Sequence, residues 1–254
     1  MNKVVEVRNL KFGEGMPKIC VPLVGKTNED ILKEAKALKD LKLDLVEWRV
    51  DHYVDVENIE KVLEILKDLR KELNELPILV TFRSKKEGGE REVSVEYYSE
   101  LNREIAKSKM ADLVDVELFT GDEVVCEIVE CAHENGVKVV MSNHDFFKTP
   151  SKEEIIKRLC RMQELNADLP KIAVMPQSAK DVVTLLAATE EMSREHANTP
   201  IITMSMGGCG LVSRLAGETF GSALTFGAAK QASAPGQIAV EELSQVLNIL
   251  HKSR

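Results

Sequence analysis

Two side chains in this sequence are of a type, and in a setting, to make and break bonds at carbon. Lys171 opens the run Lys171-Ile172-Ala173-Val174-Met175-Pro176, a β-strand pattern closed by proline. Consecutive Ile, Ala, Val and Met mark a parallel strand covered on both faces, where a strongly hydrated ammonium has no place without a task. Desolvation favours a neutral amine, and a neutral amine attacks a carbonyl carbon, so the chemistry on offer is a Schiff base. The competing reading is a strand-end lysine that extends its head to water. His144 is the second group. It follows the apolar run that ends in Met141-Ser142-Asn143 and precedes Asp145-Phe146, and imidazole is the side chain suited to moving a proton at neutral pH.

Further polar residues stand where apolar segments end. In Val46-Glu47-Trp48-Arg49-Val50-Asp51 the period of two sends Glu47 and Arg49 to the same side, either as an ion pair or as a clamp for a polyhydroxylated ligand. Arg83 is the inward candidate of Thr81-Phe82-Arg83-Ser84, whereas Lys85 and Lys86 read as a solvated loop. Asp115 and Glu117 share a face and read as hydrogen-bonding support. The glycine-rich turn Met204-Ser205-Met206-Gly207-Gly208-Cys209-Gly210 would offer backbone N–H groups to an anion, and Arg214 just beyond it would supply charge for a carboxylate. The small-residue stretch 230–237 has the composition of a mobile lid, with a plain connector as the other reading. His52, His133, His196 and His251 fall on loops or helices and read as surface groups. No HxH, HExxH or Asp/His cluster calls for a metal, no GxGxxG follows the first strand, and no cofactor is expected.

The elements that must position these groups repeat. Apolar strand patterns at 18–24, 43–49, 78–82, 113–117, 137–142, 171–175, 201–206 and 222–226 alternate with amphipathic helical patterns, among them 28–41, 58–73, 95–108, 122–135 and 152–165. Eight βα units with no insertion or linker predict an α/β fold, a single (β/α)8 TIM barrel over 1–254, whose chemistry sits on the loops at the C-terminal ends of the strands. Residues 4–13 alternate about Arg8-Asn9 and predict a short N-terminal β-hairpin closing one end. The length of 254 residues suits one barrel domain. Net charge −8 leaves no basic excess for nucleic acid. The N-terminus has no signal-peptide core and no apolar run approaches a membrane span, so a cytoplasmic protein without membrane contact is expected. Five cysteines, odd in number and without CxxC spacing, read as reduced, buried thiols.

The order and spacing of Gly13-Glu14-Gly15, Glu47-Trp48-Arg49-Val50-Asp51, Thr81-Phe82-Arg83-Ser84, Glu87-Gly88-Gly89-Glu90, Ser142-Asn143-His144-Asp145-Phe146, Lys171-Ile172-Ala173-Val174-Met175-Pro176, Ser213-Arg214 and Ser233-Ala234-Pro235-Gly236-Gln237 carry a likeness over essentially the whole chain. Together they resemble the type I (Schiff-base) 3-dehydroquinate dehydratase family of the shikimate pathway. The resemblance implies a hydro-lyase that turns 3-dehydroquinate into 3-dehydroshikimate through an imine on Lys171, with His144 as proton-transfer group and Glu87 as its orienting partner. It implies a substrate site lined by Glu47, Arg49, Arg83, Met204, Met206, Arg214, Phe226, Ser233 and Gln237, and a homodimer. One departure is Pro22, near which many relatives carry a serine; proline cannot donate the same hydrogen bond. The chemistry agrees with the likeness: a protonated imine is the electron sink that lets histidine remove the neighbouring proton, and the same histidine returns it to the departing hydroxyl. Two other classes remain: a class I aldolase or transaldolase, which cleaves a carbon–carbon bond and usually needs a phosphate site, and a non-catalytic barrel that binds a small anion.

Overall fold

The structure, a computed structural model, describes residues 4–229 and 234–254. In chain order the elements are β1 (Val5–Val7), β2 (Leu10–Phe12), β3 (Lys18–Leu23), α1 (Asn28–Leu38), β4 (Leu45–Arg49), α2 (Ile59–Leu73), β5 (Ile78–Thr81), α3 (Val95–Ser108), β6 (Leu113–Glu117) and α4 (Asp122–Glu134). They continue as β7 (Lys138–Asp145), α5 (Lys152–Glu164), β8 (Leu169–Val174), α6 (Ala179–Glu191), β9 (Ile202–Ser205), α7 (Leu211–Leu215), α8 (Gly217–Phe220), β10 (Leu224–Phe226) and α9 (Val240–Lys252). The last eight strands pair in the order β10-β3-β4-β5-β6-β7-β8-β9, all parallel. A parallel bridge between Ile201 and Ser222, with Ala223 N–H donating to Ile201 O at 2.8 Å, joins β9 to β10 and closes a (β/α)8 TIM barrel.

The period of two in each strand divides its residues between the barrel axis and the helical layer. Outward go Val46, Trp48, Val80, Val114, Val116, Val139, Met141, Ile172 and Val174, which share one buried cluster with the apolar stripes of α1 to α6. Inward, the strands begin apolar, and five of the eight turn polar two residues on, while β3, β9 and β10 stay apolar there with Pro22, Met204 and Phe226. Cys20, Leu45, Leu79, Leu113, Val140, Leu169, Ile202 and Leu224 form the second cluster. Two residues further along stand Glu47, Thr81, Asp115, Ser142 and Lys171, all buried. The axial polarity of the barrel is therefore written in the strands themselves. Below the apolar floor, β1 and β2 pair antiparallel and contribute Val5, Val7 and Phe12 to that cluster, plugging the N-terminal end. Arg8, at φ +51° in the hairpin turn, is held by Glu75 and Asp112. Thr27, Asn58, Ser94 and Ser151 each accept a backbone N–H as N-caps of α1, α2, α3 and α5.

Boundaries differ from the sequence expectations where strands run on. β8 starts at Leu169, so Lys171 is its third residue rather than its first, well inside the barrel. β7 continues to Asp145, because Asn143, His144 and Asp145 pair with Ile172, Ala173 and Val174; His144 is a strand residue, not a loop residue. Cys20 alone is fully buried among the cysteines, and Cys209 is exposed beside the turn after β9, against the expectation of five buried thiols. His52 is half-buried against Asp51 rather than a surface group. Among the described residues no helix is long and apolar enough to cross a membrane.

Candidate active site

At the C-terminal end of the barrel a cavity of about 190 Å³ is lined by Glu47, Arg49, Arg83, Glu87, Gly88, His144, Phe146, Lys171, Ala173, Met204, Met206, Arg214, Phe226, Ala234, Pro235 and Gln237. The sequence-derived residues thus meet in one place, brought there by six of the eight βα units. Ser233 lies outside the described residues. Pro22 lines a separate cavity of about 470 Å³ with Gly25, Lys26 and Glu34, away from Lys171. In the glycine turn, Gly207 N–H already donates to Pro235 O at 3.1 Å and Gly210 N–H to Gly207 O.

Lys171 stands on the cavity floor with its side chain 4% exposed. Its Nζ is 3.7 Å from Asp115 Oδ2 and 3.9 Å from Glu47 Oε1, both beyond hydrogen-bond length, and lies 4.6 Å from the centre of the Phe226 ring. The two carboxylates are anchored elsewhere. Thr81 Oγ1 donates to Glu47 Oε1 at 2.8 Å, and Ser142 Oγ donates to Asp115 Oδ1 at 2.6 Å. Arg83 Nη2 is 2.8 Å from Asp115 Oδ1, while its Nη1 donates to Glu117 Oε1 and to Ser142 Oγ. Asp115 Oδ2, the oxygen facing the lysine, is buried without a hydrogen-bond partner. The amine is held in a field of negative charge without being locked by any one acid.

His144 is set up differently. Its Nδ1 is 3.0 Å from Glu87 Oε2, which also accepts the His144 backbone N–H at 2.9 Å. Burial first, then the positive charges of Arg83, Lys171 and Arg49, hold the imidazole well below its usual range. It is therefore neutral, with Nδ1–H donating to Glu87 and the Nε2 lone pair free. Burial pushes the Glu87 carboxyl up to about 7 against the attraction of Arg83, and the charges of Glu117 and Asp115 add to the rise. Gly88, at φ +86°, turns the chain after Glu87, and a Cβ there would stand 2.3 Å from the Phe146 ring.

The remaining cations separate into paired and unpaired. Arg49 makes two 2.8 Å bonds to Asp51, whose oxygens also accept from Arg83 N–H and Glu90 N–H. Arg214, from α7, has Pro235 O at 3.1 Å, Met204 Sδ at 3.5 Å and a buried Nε with no partner among the described residues. Among the described residues no carboxylate pairs with it, and burial alone pulls the guanidinium down to about 10. A buried cation with open donors on a cavity wall has the chemistry to pair with an anionic ligand.

Asp115, Ser142, Asn143 and Pro235 were not singled out as site residues from sequence. Asp115 reads as support from type and spacing, and only the strand register puts it in the tier of Glu47 and Lys171. Pro235 acts through its carbonyl oxygen, which no side-chain pattern reports.

The chain matches the family model for type I 3-dehydroquinase over residues 19–254. It is 63% identical over 253 residues to a 3-dehydroquinate dehydratase of Clostridium botulinum, covering 100% of each chain. Among solved structures, a type I 3-dehydroquinate dehydratase from Clostridium difficile with covalently modified comenic acid is 61% identical and similar at a TM-score of 0.98, over 100% of both chains. A 3-dehydroquinate dehydratase from Geobacillus kaustophilus is 40% identical, with a TM-score of 0.96 over 100% of both.

Proposed function

Because the chain belongs to the type I 3-dehydroquinase family, and is a hydro-lyase that eliminates water from 3-dehydroquinate to give 3-dehydroshikimate in the shikimate pathway, we propose that it works through an imine on Lys171 with His144 as general base and acid. The observation that carries this reading is the pairing of a buried amine with a neutral imidazole in one cavity, where among the described residues no hydrogen bond holds the amine or takes up His144 Nε2.

The Lys171 amine attacks the ketone carbon of the substrate, and loss of water from the adduct leaves a protonated imine. His144 Nε2 takes the proton from the adjacent carbon, and the electron pair of that C–H bond flows into the imine to give an enamine. The enamine then expels the β-hydroxyl as His144 returns the proton to it, so that water leaves and the imine is conjugated. Water adds to this imine and releases 3-dehydroshikimate and the free amine. Glu87 holds the imidazolium that forms in between, and Glu47 and Asp115 face the nitrogen while it is cationic. Arg214 binds the substrate carboxylate. Glu47, Arg49, Arg83, Met204, Met206, Phe226 and Gln237, with Ser233, complete the substrate site in this reading.

An unpaired Arg214 beside Gly207 and Gly208 could also be read as the phosphate site of an aldolase, but the N–H groups of Gly207 and Gly210 are taken by Pro235 O and Gly207 O, which leaves that turn fewer donors for a phosphate. Borohydride added with 3-dehydroquinate should inactivate the enzyme and leave ligand mass on the peptide containing Lys171. Label on another lysine rejects the assignment. The same proposal includes one catalytic domain over 1–254, a cytoplasmic location and a homodimer; the likeness to the family over the whole chain supports the first, and light scattering reads the last.

A further inference from the structure

The acid that orients His144 is itself oriented from outside the cavity. Glu87 Oε1 accepts from Asn143 Nδ2 at 3.0 Å, and Asn143 Oδ1 accepts from Arg158 Nη1 at 2.9 Å. Arg158 belongs to α5 in the helical layer. Its Nε donates to Glu154 Oε1 at 2.7 Å, and its guanidinium carbon lies 5.5 Å from the centre of the Phe119 ring. A primary amide accepts at one end and donates at the other, whereas arginine only donates and an ionised carboxylate only accepts. With Arg158 in place, a single amide orientation satisfies both neighbours. Turned by half a rotation, Asn143 would set donor against donor at Arg158 and acceptor against acceptor at Glu87.

We propose that Arg158 is a positioning residue for the dehydration: it fixes the amide of Asn143 so that the donor end meets Glu87, and thereby keeps Glu87 ionised and accepting beneath His144 Nδ1–H. The inference rests on the reading of His144 as the proton-transfer group and adds the device that maintains it. The groups facing Glu87 are Arg83, at 3.6 Å from the segment after β5, Asp115 and Glu117 from β6, and Asn143 and His144 from β7. Lys86 and Glu92 line a side cavity that Glu87 also borders. Of these, the amide alone can exchange a donor for an acceptor without moving a charge. Burial already raises the Glu87 carboxyl, and the Asn143 bond opposes that rise. Without Arg158 the amide is free to turn when Glu87 is protonated, its carbonyl then accepts from the carboxyl, and this added stabilisation of the protonated form moves the acid limb of the rate profile to higher pH.

The test uses the intact enzyme with 3-dehydroquinate and the variant Arg158→Met, which keeps the apolar stem and removes the donors. kcat near neutral pH should fall on the order of tenfold, the scale of losing a partner behind a working group. The acid limb should shift upward, while KM and the rate of borohydride trapping at Lys171 stay at wild-type values. Arg158→Lys, which still donates to Oδ1, should bring the limb back towards wild type. Arg158→Leu, which also removes the donors, should give the same upward shift and decides the matter together with Arg158→Lys if Arg158→Met fails to fold. An unmoved limb, or a loss equal at every pH without rescue by lysine, reduces Arg158 to a structural contact and overturns the proposal. Failure to trap wild-type Lys171 would instead reject the underlying mechanism, so the two failures are distinguishable.

Discussion

Glu87 and Arg214 are the residues whose surroundings differ most from what their types alone imply, and each gives a test. Glu87 must be ionised to accept from His144, and burial raises its carboxyl to about 7. His144 is held well below its usual range and stays neutral as an acid assay approaches neutrality. The acid limb of kcat/KM should therefore belong to Glu87: activity climbs as pH rises through about 7. Glu87→Gln should lower the rate and abolish that limb; a limb that survives the substitution assigns it to another group. For stability the two shifts have opposite signs. The raised Glu87 carboxyl contributes stability below its unfolded pKa that is lost as pH rises through about 7, whereas the depressed imidazole contributes above its unfolded pKa and loses this as pH falls. Arg214 is buried at 2% exposure with no acid partner among the described residues. Arg214→Ala should raise KM and remove about 2–5 kcal/mol of transition-state stabilisation, the scale of truncating one partner of a buried charge pair; an unchanged kcat/KM contradicts the carboxylate seat. Lys171 and His144 were legible in the sequence because a lone charge or imidazole in an apolar run is anomalous. The freedom of Arg214 was not, since pairing depends on which acids the fold brings near.

The segment between β5 and α3 shows why elements, and not only side chains, set the chemistry. Glu87 ends a tight turn in which Glu87 N–H and Gly89 N–H both donate to Ser84 O, at 3.0 and 2.8 Å. A Cβ on Gly89 would stand 1.8 Å from Arg83 O, a backbone atom that cannot yield cheaply. Gly89→Ala should therefore displace the turn, costing about 1–3 kcal/mol of stability from local strain and lowering kcat by misplacing Glu87 beneath His144. Thermal unfolding and kcat measured on the same preparation check this; a variant with wild-type values in both shows that the turn adapts. From sequence, the Gly88-Gly89 pair marked a tight loop after a charge cluster, but not the close approach that requires it. Strand ends were the least legible elements. β7 and β8 each extend past the sequence estimate because they pair with one another from Val140–Leu169 to Asp145–Val174, and mutual pairing is invisible to local propensity.

Across the whole molecule, the barrel keeps its stabilising and reacting parts on one axis. Apolar inward residues and the hairpin plug fill the N-terminal end, and the inward positions two and four residues later carry the charges. Eight strand patterns with helical spacing between them made this architecture readable in the sequence, since the period of two also assigns inward parity. Closure between β9 and β10 rests on the short Ile201–Ser222 bridge and left little signal beyond the count of strands. In the proposed mechanism the two chemical roles are separate: Lys171 would condense with a carbonyl without help from His144. The most direct measurement of the central claim is the intact-protein mass of His144→Ala mixed with saturating 3-dehydroquinate in the absence of borohydride. Imine formation needs only the amine, whereas loss of general acid–base catalysis should slow elimination on the order of 10²–10⁴-fold. The account predicts a covalent adduct that accumulates on the peptide containing Lys171. A protein that forms no adduct, or one that turns over at the wild-type rate, contradicts it.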